Sequence, residues 1–221
     1  MDTAIRQMSF LLAGPERRVL RWIAARLPRG WMPDHLTAIG VAGALTIGAG
    51  YALSGRHPAW LWLATLGLVV NWFGDSLDGT LARVRQIERP RYGYYIDHMV
   101  DAFNTTVIGA GIGFSPYVAM PLALLLVILY LCLSINVYLE SSVHGQFDLG
   151  FGLVGPTEVR ILLALLNTAL FAAAWTGTGD AAIARVANAV VIVVCGGLAY
   201  ALAARFRINL IRLARLEPPR R

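Results

Sequence analysis

The sequence is divided into apolar stretches, most of which are as long as a helix that crosses a bilayer. They cover about residues 35–53, 59–72, 92–113, 117–141, 156–175 and 181–204. A spanning helix needs about 20 predominantly apolar residues. The chain is 57% hydrophobic and only 14% charged, which excludes an ordinary soluble domain. We therefore predict an all-α integral membrane protein with six transmembrane helices.

The residues before the first apolar stretch show a different pattern. Leu20, Trp22 and Ile23 alternate with arginines, which is typical of an amphipathic helix that lies in the membrane interface. The second stretch also differs, because it continues into a polar segment at 75–85. We divide the chain into an N-terminal amphipathic interfacial segment, a six-helix transmembrane domain and a basic tail, at residues 1–34, 35–206 and 207–221.

The distribution of arginine predicts the orientation in the membrane. With six spans, the N-terminal segment, the 84–91 loop, the 142–153 loop and the tail lie on one side, and all arginines except Arg56 and Arg185 lie there too. Positively charged loops face the cytoplasm. We therefore expect a multi-pass protein with both termini in the cytoplasm. The net charge of +6 then reflects contact with anionic membrane lipids, not with nucleic acid.

Four aspartates lie where apolar residues would be expected. Asp75 and Asp78 follow the second apolar stretch, and Asp97 and Asp101 lie early in the third. A carboxylate at membrane depth costs a few kcal/mol or more, so the group needs a cation or a water-filled cavity. Spacings of three and four place each pair on one helix face. Two adjacent helices could form an oxygen cage for Mg²⁺ or Mn²⁺ at the cytoplasmic side.

Small residues and one arginine accompany the acids. Gly79 follows Asp78, and Gly93 and Ala82 add further small positions. Glycine within a helix costs about 1 kcal/mol relative to alanine, so a close ligand is one reason for it and helix packing is another. Arg83 can place its guanidinium against phosphate oxygens. A pyrophosphate-containing nucleotide fits this combination, whereas solvated interfacial acids would account for single members of the set.

The spacing of these residues resembles a family signature. The CDP-alcohol phosphotransferase family has the pattern Asp75-x2-Asp78-Gly79-x2-Ala82-Arg83-x9-Gly93-x3-Asp97-x3-Asp101, and every defining position is filled here. The resemblance implies transfer of a substituted phosphate from a CDP-linked donor to an alcohol hydroxyl, with release of CMP. It also implies six spans after an interfacial helix, and a homodimer.

The resemblance also implies roles for individual residues. Asp75, Asp78 and Asp97 would bind the metal, and Asp101 would complete a two-metal site or act as the general base. The CMP half of the donor would lie against Gly79, Ala82, Arg83 and Gly93, with Thr37 nearby. The family often has Pro-Asn where this chain has Pro33-Asp34, so the contribution of position 34 to nucleotide binding is open.

The residues around the signature bear on the substrate. Asp97-His98 and the Gly155-Pro156-Thr157-Glu158 turn are similar to the branch that uses CDP-choline or CDP-ethanolamine with diacylglycerol. We therefore favour that donor, with an acceptor and alcohol site that includes His98, Glu140, His144, Glu158 and Arg160. The alternative is CDP-diacylglycerol with a polar alcohol: glycerol phosphate, inositol phosphate, inositol or serine. Arg160 would then bind an acceptor phosphate, and Glu158 would only cap a helix.

Two other classes of membrane protein also use intramembrane acids. A transporter would more often show internal repeats and acids near the middle of the bilayer. A membrane prenyltransferase would carry two separated acidic motifs on different helix pairs. Here the acids lie near one membrane face on one pair of segments, together with Gly79, Arg83 and Gly93. This arrangement favours the phosphotransferase over both.

Overall fold

The computed structural model describes residues 12–144 and 155–217, which form seven α-helices and no β-strand. Their bounds are α1 Ala13–Arg26, α2 Pro33–Leu53, α3 Trp60–Arg85, α4 Pro90–Phe114, α5 Met120–His144, α6 Pro156–Trp175 and α7 Asp180–Leu216. The predicted all-α class is therefore confirmed.

Four of these helices, α2, α5, α6 and α7, are long and apolar enough to cross a membrane. This agrees with a membrane protein and gives four candidate spans, so the predicted count of six is not confirmed. Helices α3 and α4 are also long, with 26 and 25 residues. Both carry acidic and basic side chains, which lower their mean hydropathy. Their assignment as spans, and the orientation of the chain, stay predictions.

Local sequence explains where several helices begin and end. Proline occupies the first position of α2, α4 and α6, where its missing N–H leaves no intrahelical bond unmade. Helix α3 ends at Gln86, which adopts a left-handed conformation with φ of 57°. Helix α7 continues to Leu216, well into the segment that we described as a tail. Residues 205–216 contain no proline or glycine, and arginine and leucine favour helix.

Helix α2 is the centre of the bundle, because both α3 and α4 pack against it. Glycines allow the close approach. A Cβ added at Gly43 would lie under 3.0 Å from the backbone of Asn71 in α3, and one at Gly111 in α4 would collide equally with Gly48 of α2. Helix α5 then packs against α4 and α7, and α6 packs against α3.

Helix α1 packs along α3 through its apolar face. Leu20 and Ala24 are buried against Leu36, Leu77 and Leu81. Its arginines at 17, 18 and 21 are exposed on the other face, so the helix is amphipathic as predicted. Its location in the membrane interface stays a prediction.

Arg85 links the connection between α1 and α2 to the end of α3 by hydrogen bonds. Its guanidinium donates hydrogen bonds to four backbone carbonyl oxygens, those of Leu27, Pro28, Arg29 and Trp31. These carbonyls follow the end of α1 and have no helical partner of their own. The single arginine therefore holds the start of α2, and with it Thr37, in position beside α3.

Candidate active site

A polar cleft lies where α2, α3 and α4 meet. It contains three carboxylates, one hydroxyl, one carboxamide and two apolar positions: Asp75, Asp78, Asp97, Thr37, Asn104, Gly40 and Val100. The predicted convergence of the two acidic helix faces is therefore observed. The helix arrangement that brings the acids together is not the simple pair of helices that we expected, because α2 packs against both acidic helices and contributes to the cleft wall.

Asp78 is fixed by two donors. The buried Thr37 hydroxyl donates to one carboxylate oxygen at 2.7 Å, and the backbone N–H of Gly79 donates to the other at 2.5 Å. Thr37 can reach α3 because Gly40 packs against Gly74, where an added Cβ would lie 2.2 Å from the Gly40 nitrogen. The first turn of α2 thus orients the carboxylate in α3.

Asp75 faces a cation from α6. The Arg160 guanidinium lies 2.5 Å from its carboxylate and donates from Nε to the Asn71 Oδ1 at 3.0 Å. Asn71 in turn donates to the carbonyl oxygen of Gly40 at 2.9 Å. This chain of contacts connects α6, α3 and α2, and it brings a positive charge to the acidic cleft. Arg160, 85 residues away from Asp75, is the feature of the site that spacing could not reveal.

Asp97 and Asp101 contribute from α4. Asp97 lines the cleft, and its carboxylate lies 3.3 Å from Nδ1 of His98. Asp101 lies one turn further along α4 and interacts electrostatically with Asp75 and Asp78 as well as with Arg160. All four predicted acids therefore belong to one electrostatic cluster, of which three line the cleft.

The donor chemistry of this cluster fits a hard divalent cation, since carboxylate and hydroxyl oxygens are its preferred ligands. Within 12–144 and 155–217, no three His, Cys, Asp or Glu side chains are arranged as a ready metal site. Asp75 is turned toward Arg160 and Asp78 toward Thr37. An ionised carboxylate has about four acceptor positions, so each of these side chains could bind a cation while it keeps the present hydrogen-bond partner.

The predicted nucleotide-contacting residues lie outside the cleft lining. Gly79 and Arg83 are neighbours on α3, since a Cβ at Gly79 would lie 3.4 Å from the Arg83 guanidinium. Arg83 also donates to the Thr80 hydroxyl at 3.3 Å. Ala82 is half-buried, and a Cβ at Gly93 would meet open space. These positions lie between the cleft and the 86–89 connection along α3 and at the start of α4.

Of the predicted acceptor residues, Glu140 and Glu158 are engaged elsewhere. Glu140 forms an ion pair with Arg205 at 3.1 Å. Glu158 accepts from the backbone N–H of Gly155 at 3.0 Å and of Leu12 at 2.8 Å, so it caps α6 and anchors the start of α1. The capping alternative for Glu158 is therefore observed.

His98 lies between two tyrosine rings. The ring centroids of Tyr94 and Tyr138 are 4.1 and 4.2 Å from that of His98. His144 ends α5, but its side chain lies outside the described part of the structure.

Asp34 pairs with Arg89 in the α3–α4 connection, and this hydrogen bond raises the pKa of the Arg89 guanidinium. Asp34 is thereby directed at that connection and is not among the residues that line the cleft.

Sequence reasoning missed Gly40, Asn71 and Asn104 as members of the site. Each could have been found from helical spacing, because each shares a face with a residue already chosen. Gly40 is three residues after Thr37, Asn71 is four before Asp75, and Asn104 is three after Asp101.

The described structure is thus that of a helical membrane protein with an acidic cleft between three helices. The family model described as CDP-alcohol phosphatidyltransferase matches residues 31–201, which include every residue of the cleft. The chain belongs to this family, so the expected resemblance is confirmed. No curated protein sequence gives a match to the chain. Enzymes of the family transfer phosphate from a CDP-alcohol to an acceptor in lipid synthesis and use a divalent metal. The match does not distinguish the choline/ethanolamine branch from the others.

Proposed function

We propose that the protein transfers a substituted phosphate from a CDP-linked donor to an alcohol hydroxyl and releases CMP. One observation carries this proposal: Asp75, Asp78 and Asp97, which belong to two different helices, line one cleft together with Thr37 from a third helix and lie within electrostatic range of Asp101. Four acids in one apolar bundle need a cationic or water-filled environment. A metal-bound pyrophosphate is a ligand that meets that need.

The chemistry follows from the groups in the cleft. The acceptor hydroxyl gives its proton to a carboxylate, its oxygen forms a bond to the phosphorus of the transferred group, and the bridging P–O bond to CMP breaks. Asp101 is our candidate for the base, because it belongs to the cluster without lining the part of the cleft that Asp75, Asp78 and Asp97 share.

Mg²⁺ or Mn²⁺ would be held by Asp75, Asp78 and Asp97, with Asp101 as a further ligand in a two-metal site. When bound, the metal supplies charge neutralisation for the pyrophosphate and for the CMP that leaves. Thr37 keeps the Asp78 carboxylate in one orientation, and Arg160 balances the charge of Asp75. Gly79, Ala82, Arg83 and Gly93 would lie along the CMP half of the donor.

Arg160 supports CDP-diacylglycerol as the donor and a phosphorylated polar alcohol, such as glycerol phosphate or inositol phosphate, as the acceptor. It is a cation at the edge of the cleft, and a bidentate guanidinium is well suited to a phosphate group. The engagement of Glu140 by Arg205 and of Glu158 by two backbone N–H groups removes two of the carboxylates that we expected to hold an ammonium group.

The rings around His98 support the second candidate, CDP-choline or CDP-ethanolamine with diacylglycerol. Tyr94 and Tyr138 both contact the ring of His98, the neighbour of Asp97, and aromatic faces attract ammonium groups. The reaction is the same for both candidates: the transferred phosphate forms one ester bond as its bond to CMP breaks.

The deciding experiment is CMP release by the purified protein in lipid with Mg²⁺ or Mn²⁺. One arm holds CDP-diacylglycerol with glycerol phosphate, inositol phosphate, inositol or serine. The other arm holds CDP-choline or CDP-ethanolamine with diacylglycerol. Activity in either arm supports the reaction and identifies the donor. Folded protein that releases no CMP and binds no CDP compound would overturn the proposal, and transport of an ion or solute would become the leading alternative.

We also propose that the cleft faces the cytoplasm and that the protein is a homodimer. The first follows from the arginine distribution and the second from the family resemblance. Arg83, Arg85 and Arg89 surround the cleft end of α3, where the positive-inside rule places cytoplasmic residues. Protease accessibility of the C-terminus in sealed vesicles and the mass of the protein in native detergent would test the two statements.

A further inference from the structure

Asn104 is a buried polar residue of the cleft. It is only 6% exposed, and its buried Oδ1 atom has no hydrogen-bond partner among the described residues. Asn71, Asn167 and Asn188 each bond to two or more neighbouring groups. The Asn136 amide nitrogen also lacks a partner, but Asn136 is half-buried and does not line the cleft.

Such a group costs about 1–3 kcal/mol when it stays unpaired. Buried polar atoms without a partner are rare in proteins, and they call for a specific explanation. In Asn104 the carboxamide faces the cleft that contains the acids, so a ligand in that cleft is the partner that the geometry offers.

The position of Asn104 on α4 indicates which part of a bound ligand lies beside it. It lies three residues after Asp101, about 4.5 Å further along the helix and on the same face. It lies seven residues after Asp97, about 10.5 Å further along, so it occupies the end of the cleft remote from the α3–α4 connection. The signature residues Gly79, Arg83 and Gly93 lie toward the opposite end.

The hydrogen-bonding capacity of a carboxamide further limits which ligand group can be the partner of Asn104. A carboxamide both donates and accepts hydrogen bonds, and its two ends exchange by a half-turn of the side chain. A phosphate is bound better by a cation, and a hard metal is bound better by the neighbouring carboxylates. A hydroxyl also donates and accepts hydrogen bonds, so it matches the carboxamide of Asn104. The acceptor hydroxyl is also the reacting group that must lie beside Asp101, the candidate base.

We propose that Asn104 binds the acceptor hydroxyl and orients its proton toward Asp101. The carboxamide makes the half-turn that puts its Nδ2 where the unpaired Oδ1 lies, and the amide then donates to the hydroxyl oxygen while that hydroxyl donates to the Asp101 carboxylate. Asn104 thus selects the attacking oxygen and takes no proton itself. This inference rests on the proposed transfer reaction, but it holds for either donor class, since both need an alcohol acceptor.

Three variants test the inference in the arm that releases CMP: Asn104→Ala, Asn104→Leu and Asn104→Ser. We expect kcat/KM for the acceptor to fall about 10-fold in the alanine and leucine variants, as for the loss of one hydrogen bond. The serine variant, whose hydroxyl can also donate and accept a hydrogen bond, should retain part of the wild-type kcat/KM for the acceptor. The KM for the donor and the metal concentration for half-maximal activity should each stay within about twofold.

A structural readout separates this role from simple packing. Asn104→Leu replaces an unpaired carboxamide by an apolar group of similar shape, so the unfolding temperature should stay the same or rise. The matched control, Asn188→Leu, removes bonds to the Ala119 N–H and the Ala184 carbonyl and should lower the unfolding temperature without changing the acceptor KM.

Several outcomes would overturn the inference while the wild type releases CMP. These are an unchanged acceptor kcat/KM, an equal loss for the donor, a shift confined to the metal requirement, or failure of all three Asn104 variants to fold. A wild-type protein that releases no CMP in any arm would instead refute the proposed function.

Discussion

Replacing Asp78 by asparagine separates the charge of this side chain from its shape. The Thr37 hydroxyl donates to the Asp78 carboxylate at 2.7 Å, and the asparagine carbonyl oxygen can still accept that bond. The bond from the Gly79 N–H is lost, because the amide nitrogen that faces it cannot accept a hydrogen bond, and this loss costs about 1 kcal/mol. Removal of one of several like charges in the cleft offsets that loss. We expect the free energy of unfolding to change by less than about 1 kcal/mol.

The effect on catalysis should be far larger. A metal that loses a charged ligand is held less firmly and neutralises less charge as CMP leaves, an effect of several kcal/mol. A loss of about 4 kcal/mol corresponds to a rate about 10³-fold lower. The Asp78→Asn variant should therefore fold normally and release CMP at least about 10³ times more slowly than the wild type.

The assay is CMP release in lipid, with the unfolding temperature of each preparation measured in parallel. Thr37→Val is the matched control, because it removes the hydroxyl that orients Asp78 but keeps the charge. It should lose only about 10-fold, as for one hydrogen bond to a charged group. Wild-type turnover by folded Asp78→Asn protein would refute the metal assignment. A greater loss in Thr37→Val than in Asp78→Asn would show that orientation outweighs charge.

Four further changes test other parts of the site. Asp101→Asn should lower kcat about 100-fold or more with donor affinity unchanged, and equal losses in both would make Asp101 mainly a metal ligand. Arg160→Gln should raise the KM for a phosphorylated acceptor about 10-fold but leave that for serine unchanged; equal effects on both acceptors would contradict a phosphate-binding role. Gly43→Leu should prevent folding, since its side chain would enter the backbone of Asn71, and a normal yield of stable protein would contradict the close approach of α2 and α3. Arg85→Gln should speed trypsin cleavage after Arg29, because four carbonyl contacts of the α1–α2 connection are lost; an unchanged cleavage rate would show that packing alone holds it.

Periodicity and charge were sufficient to locate the helices. The apolar stretches matched the described helices to within a few residues at most ends, because proline and left-handed Gln86 mark the boundaries locally. The largest differences were at the ends of α3 and α7: the apolar stretch 59–72 continues as a polar helix to Arg85, and the arginine-rich continuation of α7 was assigned to the tail. Charge alone does not end a helix when no proline or glycine is present, and a basic segment can remain helical outside an apolar environment.

The sequence by itself determined the helical class, the family and the four aspartates, since these depend on residue type and on spacing along one or two helices. Only the tertiary structure decided that α2 packs against both acidic helices, because the glycine contacts at Gly43 and Gly48 act between different helices and not within one. It also brought Arg160 to Asp75 and engaged Glu140 with Arg205. An ion pair between separate helices depends on their packing angle and depth, which no spacing within one helix records.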